Sequence, residues 1–164
     1  MINFTIIAVG KLKEKYWREA AAEYLKRLQP YARITITELQ DEQLPVQASP
    51  AEVAAIKERE GQKILAATAT SDGHYVIALD PAGEHISSEG LAAAFDSLAV
   101  RGHSRITFII GGAAGLAPSV IQRADRRLSD IHAPNDPHLS AGTNLPRFQD
   151  ITRREVPPLT LERG

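Results

Sequence analysis

The chain has 164 residues, 43% hydrophobic and 24% charged, which is ordinary globular composition at the length of one soluble domain. Nineteen Lys plus Arg against twenty Asp plus Glu leave a formal charge of -1, so no global positive field announces nucleic acid or an anionic membrane, and an anionic partner has to be held by a local patch. The lack of cysteine excludes disulfides, thiolate metal sites and cysteine nucleophiles; the five His are scattered, so no metal is expected, and no apolar run approaches the ~20 residues that span a bilayer, so no membrane and a cytoplasmic location are expected.

Ile2 to Val9 reads as a short, almost continuously apolar strand ended by Gly10, as suits a strand covered on both faces. A helix of about four turns follows, with Trp17, Ala20, Ala21, Tyr24, Leu25 and Leu28 at three- and four-residue spacing and Pro30 closing the run. Ile34 and Ile36 with their flanking Thr residues make a second strand, and QDEQLPVQASP a polar loop. Ser49, Pro50 and Glu52 form a capping-box start for a helix whose buried face is expected from Val53, Ala54, Ile56, Ile64 and Leu65. His74 to Leu79 is a third strand, stopped by Asp80-Pro81-Ala82-Gly83. Ser87 and Ser88 start a helix through Leu91, Phe95 and Leu98; Arg105 to Ile110 is a fourth strand entering Gly111-Gly112-Ala113-Ala114-Gly115-Leu116; Pro118 opens a last helix to about Leu128.

Strands alternating with helices through short connections predict an α/β fold: a mainly parallel sheet with helices on both faces. Ligands of such sheets sit beyond the carboxyl ends of the strands, which directs attention to Leu79-Asp80-Pro81-Ala82-Gly83 and to the Gly111–Leu116 turn. Glycines let a backbone approach a ligand closely, and a following helix N-terminus offers free N–H groups. The turn is neither a Walker A loop nor a dinucleotide fingerprint, and a plain tight turn is an equal reading. His103 is expected in a solvated turn, as is the Lys11, Lys13, Lys15 cluster. Arg123, Arg126 and Arg127 make a candidate phosphate stripe on one helix, interrupted by Asp125, with a solvated helix face the stronger reading. No catalytic residue emerges from spacing.

The segments AVGKLKEKYWREAAAEYLKRL, EREGQKIL, YVIALDPAG, ITFIIGGAAGL and the expected helix RADRRLS together resemble the RlmH-type methyltransferases of the SPOUT superfamily, over residues 1–129. The resemblance implies S-adenosylmethionine-dependent methylation of N3 of a pseudouridine in 23S ribosomal RNA, a SPOUT-like α/β knot, and a homodimer. It also implies a cofactor site formed by Leu79, Gly111 and Gly112, with Gly115 and Leu116 shaping the turn and Leu128 and Ser129 beginning a third loop. The knot follows from the resemblance and not from periodicity, and the altered end of the chain leaves it open. Two other readings stand beside this one: a non-catalytic remnant of the family with a frame-shifted C-terminus, and a small nucleotide-binding module.

Residues 130–164 break the pattern, with five of the ten prolines and no sustained period, which alone reads as a disordered tail. The family's Thr-Leu/Phe-Pro-His stretch, Glu-Gln-x-Tyr-Arg-Ala helix and terminal Tyr-His-Lys/Arg are absent. Reading each codon from its second base into the next, however, Gly142 to Pro158 permit EQIYRAFKILRGEKYHR, and Leu159 followed by Thr160 permits a stop. The tail therefore reads as frame-shifted, in nature or in sequencing, with the slip near Asp130 to His132. Residues 1–129 hold 15 basic and 15 acidic residues and the written tail 4 and 5, whereas the shifted tail is basic. Reading the gene tests this. The +1 frame is expected to carry those seventeen residues and the stop, and any interruption of that run returns the segment to an ordinary tail.

Overall fold

The computed structural model of the chain describes residues 1–68 and 73–132, the last three of them through their backbone alone. The knot and the expected tail from residue 133 onward lie outside the described residues, while residues 130–132, also expected in the tail, are strand backbone. Nine elements follow in order: β1 (Ile2–Val9), α1 (Lys15–Leu28), β2 (Ala32–Leu39), α2 (Pro50–Ala67), β3 (His74–Ser87), α3 (Ser88–Val100), β4 (Arg105–Ile110), α4 (Pro118–Arg123) and β5 (Arg126–His132). The strands form one sheet in the order β2-β1-β4-β3-β5, and every neighbouring pair is parallel. The expected parallel α/β architecture is thus the one observed.

Alternation along the strands builds two cores. On one face Ile7, Val76 and Ile109 meet Ile64 of α2 and Val120 of α4; on the other, Ile77, Ile106 and Leu128 meet Leu98 of α3. Phe4, Phe95 and Phe108 complete the second core, with the Phe4 and Phe95 ring centroids 5.1 Å apart. Helices therefore cover both faces, and each fully buried Leu or Ile contributes about 1.5–3 kcal/mol. Local signals behave as their chemistry requires. Ser49 accepts from the Glu52 amide while the Glu52 carboxylate accepts from the Ser49 amide, closing the capping box and holding the Glu52 carboxyl below its usual range. Ser87 caps α3 by accepting from Gly90 at 3.0 Å.

Several expectations need correction. The apolar stripe of α1 is not buried: the helix has no buried residue, and Tyr24 and Leu28 are exposed. Ala54 of α2 is also exposed, while Glu60 and Gly61 are buried. His103 is half-buried, its ring set edge-on against Tyr75 at 5.5 Å. The third strand does not stop at Leu79. Leu79 and Glu84 both lie opposite Leu128, so Asp80–Gly83 is an excursion within a strand that runs on to Ser87.

The last helix ends at Arg123, and the segment RRLSDIH is strand β5. The cause is Asp125: its amide donates to the Val76 carbonyl at 2.8 Å, and its carboxylate accepts from the Val76 amide at 2.7 Å. This two-point attachment turns the chain out of α4 and into the sheet beside β3. Arg123, Arg126 and Arg127 consequently do not share a helix face.

Replacement of Asp125 by Ala leaves the amide of fully buried Val76 without its carboxylate partner. A loss of about 1–3 kcal/mol in urea unfolding is expected, with Asp125→Asn, which keeps an acceptor oxygen, costing less.

Candidate functional site

The parallel register sets the end of β4 level with positions inside β3 and β5. Leu79 of β3 lies opposite Ile110, the last residue of β4, on one side and opposite Leu128 of β5 on the other. Gly111 follows Ile110 directly, so Leu79, Gly111 and Leu128, three of the residues singled out from the sequence, converge at the carboxyl edge of the sheet. Their side chains do not share one face. Leu79 and Leu128 join the core beneath α3, whereas Leu116 joins the core beneath α2 and α4.

The glycine run between them is a closed turn. The Gly115 amide donates to the Gly112 carbonyl at 3.1 Å, these two residues form an antiparallel bridge, and Gly115 takes φ +88°, which side chains disfavour. Contact, not backbone angle, explains the other two glycines. A Cβ on Gly111 would stand 2.9 Å from Leu116 Cδ2, and one on Gly112 would stand 2.9 and 3.0 Å from the carboxylate oxygens of Glu60 and 3.1 Å from Val9 Cγ1. The turn is packed from below by Leu116, Glu60 and the end of β1, and no side chain fits at either position without displacing them.

Ser129 is set apart from this convergence. Its hydroxyl lies 3.3 Å from Nδ1 of His85, a residue of β3 beyond the excursion. The excursion itself is braced on several sides. Asp80 Oδ1 accepts from the Ala82 amide at 3.2 Å, Arg127 donates to the Ala82 carbonyl at 3.2 Å and pairs with Asp80 at 3.2 Å, and Arg126 pairs with Glu84. Gly83 lies so close to β5 that a Cβ there would meet the Arg127 and Leu128 backbone at 2.7 to 2.8 Å.

Sequence reasoning missed Glu60 and His85. For Glu60 a signal was present, because it occupies the apolar spacing Val53, Ile56, Glu60, Ile64 and precedes a glycine. It is buried at 1% exposure; Oε1 accepts from the Glu42 amide at 3.0 Å, Oε2 has no partner among the described residues, and burial pushes the carboxyl above its usual range. His85 carried no such mark. Among the described residues no cluster of His, Asp and Glu is arranged to hold a metal, and no helix is long and apolar enough to cross a membrane.

Comparison with known proteins bears on this geometry directly. The family described as "Predicted SPOUT methyltransferase" matches residues 2–130. The ribosomal RNA large subunit methyltransferase H of Clostridium acetobutylicum is 50% identical over 127 residues, which is 77% of this chain and 79% of that protein. The proteins of the same name from Carboxydothermus hydrogenoformans and Listeria monocytogenes are each 48% identical over 128 residues, 78% of this chain and 79% of theirs. The match takes in every strand that meets at the carboxyl edge and the whole of the glycine turn, and on that ground the chain belongs to the SPOUT methyltransferase family, in its RlmH-type branch.

Proposed function

We propose that this fold transfers a methyl group from S-adenosylmethionine to N3 of a pseudouridine in 23S ribosomal RNA. The observation that carries the reading is the convergence of Leu79, Gly111 and Leu128 beside the closed Gly112–Gly115 turn, in a chain about half identical to relatives named for ribosomal RNA methylation. The residues present suit such a cofactor. Gly111 and Gly112 present backbone after β4, their missing side chains making room for Leu116 and Glu60 beneath, and half-buried Leu79 offers apolar surface beside them.

When bound, the sulfonium supplies an already activated methyl group. What remains for the protein is position and exclusion of water. Leu79, Gly111 and Gly112 are the residues that hold the cofactor, Gly115 and Leu116 fix the shape of the turn, and Leu128 and Ser129 begin the third wall. The register of β3, β4 and β5 fixes the spacing of these parts, because parallel hydrogen bonding leaves the three strands no freedom to slide. N3 lies on the Watson–Crick edge, so the target base is recognised unpaired or drawn out of its stack. The relatives' name supports the large-subunit RNA as partner; the homodimer rests on the resemblance, and a place in the cytoplasm on the composition.

Transfer of labelled methyl to purified large ribosomal subunits is the test, made with a version of the chain restored to the family frame after Ser129. Label in the RNA is expected; label in protein or in a small metabolite overturns the assignment. The 164-residue chain, lacking the family's terminal Tyr-His-Lys/Arg, is expected to transfer far less. Within the restored version, Gly112→Val is expected to weaken S-adenosylmethionine binding at least about tenfold, corresponding to ~1.4 kcal/mol, in a protein that remains folded. Unchanged affinity in calorimetry reduces the run to a structural turn.

A further inference from the structure

Glu60 lies midway along α2 and is fully enclosed, although Glu is almost never buried without a partner. The lysine one helical turn portion away does not serve it: Lys63 donates to the Glu42 carboxylate at 3.0 Å and to the Gln40 carbonyl at 3.2 Å. What does touch the Glu60 carboxyl is backbone. The Glu42 amide donates to Oε1, and both oxygens press on the space where Gly112 would carry a Cβ. A Leu or Met there would fill the volume without the cost of desolvating a carboxyl. The acid instead joins three segments at one point: the connection after β2, helix α2, and the turn after β4.

We propose that Glu60 is a positioning residue for the glycine turn, its carboxyl held by the Glu42 amide and serving as the surface on which Gly112 is seated. The inference rests on the reading that this turn holds the cofactor, and its test separates the two. Gly61, the next residue, is packed equally tightly, with a would-be Cβ 2.9 Å from Ala117 and 3.4 Å from Val120, so α2 meets both ends of the segment from Gly112 to α4 through consecutive residues. The turn is thereby fixed to α2 at its entry and at its exit.

The charge state of the carboxyl then controls the seat. The groups facing it are Asp41 and Glu42 from the connection after β2 and Lys63 from α2 itself; Arg59 acts on Glu42, and Lys57 lies beside Gly115. The turn, with only Gly, Ala and Leu, contributes no charge, nor does Val9 of β1. Burial, with the Asp41 and Glu42 charges adding to it, favours the neutral acid over the ion and outweighs the Glu42 amide and Lys63, which favour the ion. Because the folded chain binds this proton more tightly than the unfolded chain, the seated turn is complete at low pH and loosens as pH rises through the raised folded value.

The test follows the backbone amide of Gly112 in the full 164-residue chain by NMR, from about pH 5 to about pH 8, the span into which burial moves carboxyl groups. The expected result is a titration of this amide above the ordinary carboxylate range, absent in Glu60→Gln, which keeps an acceptor for the Glu42 amide but cannot ionise. Hydrogen exchange across Gly111–Leu116 is expected to be about tenfold faster in the unaltered chain than in the Gln variant at the upper end and equal at the lower end, a factor of ten corresponding to ~1.4 kcal/mol of local opening. A Gly112 amide that does not titrate in this span overturns the proposal, and so do exchange profiles that coincide. The amide titration is read in the unaltered chain and needs no variant to fold. A failure of the frame-restored chain to bind S-adenosylmethionine at any pH overturns the cofactor reading, while the Glu60 measurements, made without cofactor, still decide the seat.

Discussion

The two hydrogen bonds between Asp125 and Val76 determine how the chain is arranged at the carboxyl edge of its sheet. Without them the residues after Arg123 have no reason to leave the helix, since Arg126, Arg127 and Leu128 are acceptable helix formers. With them, β5 is laid against β3 in a register that sets Leu128 opposite Leu79. Everything at that edge follows from this placement: the burial of Leu128 in the α3 core, the crowding of Gly83 on the Arg127–Leu128 backbone, and the approach of β5 to the end of β4 across one intervening strand. One aspartate on a short connection therefore sets how β5 lies on β3 at this edge.

The second recurring device is a glycine matched to a protruding partner. Gly112 is matched to the Glu60 carboxyl, Gly111 to the Leu116 side chain and Gly83 to the backbone of β5. In each pair the missing side chain is the space that the partner occupies, so the backbone is pressed into contact from one side and its other side stays available. A loop held this way is rigid without being covered. That combination suits transfer chemistry, in which a small misplacement of reacting atoms costs more rate than a weaker grip costs affinity.

Much of the fold was legible in the sequence, and the reasons for the exceptions are specific. β1, β4, α2 and α3 carried both an apolar pattern and a terminating residue, and their limits agree with the structure within a residue or two. Asp80-Pro81-Ala82-Gly83 carried strong turn chemistry and does turn, but a turn signal cannot say whether the strand resumes; here Arg127 and Asp80 hold the excursion shut and pairing continues from Glu84. RADRRLS reads as helix because it follows one and contains helix-favouring Arg and Leu, whereas the deciding contact, Asp125 with Val76, spans 49 residues. The glycine turn stood out from composition alone. Its support did not, since Glu60 reads as one more solvated acid until the spacing of Ile56 and Ile64 is set beside it.

Electrostatics were the least legible part, for a reason that also bears on RNA binding. Arg123, Arg126 and Arg127 suggest a phosphate stripe when they are placed on a helix, yet Arg123 pairs with Asp125 at 3.8 Å, Arg126 with Glu84, and Arg127 with Asp80. Arg126 and Arg127 alternate across β5, pointing to opposite sides of the strand, and both are engaged in shaping the segment that follows Leu79. Charge at this edge is therefore used first to hold backbone. An arginine already committed to a carboxylate gains less from a phosphate than a free one, because the new contact must replace an existing one. Lys11 and Lys13, on the connection after β1, are exposed, and they sit where β1 delivers Val9 against the glycine turn. In a chain with a net charge of -1, attraction for an RNA backbone depends on which cations are left uncommitted near the site and not on the total.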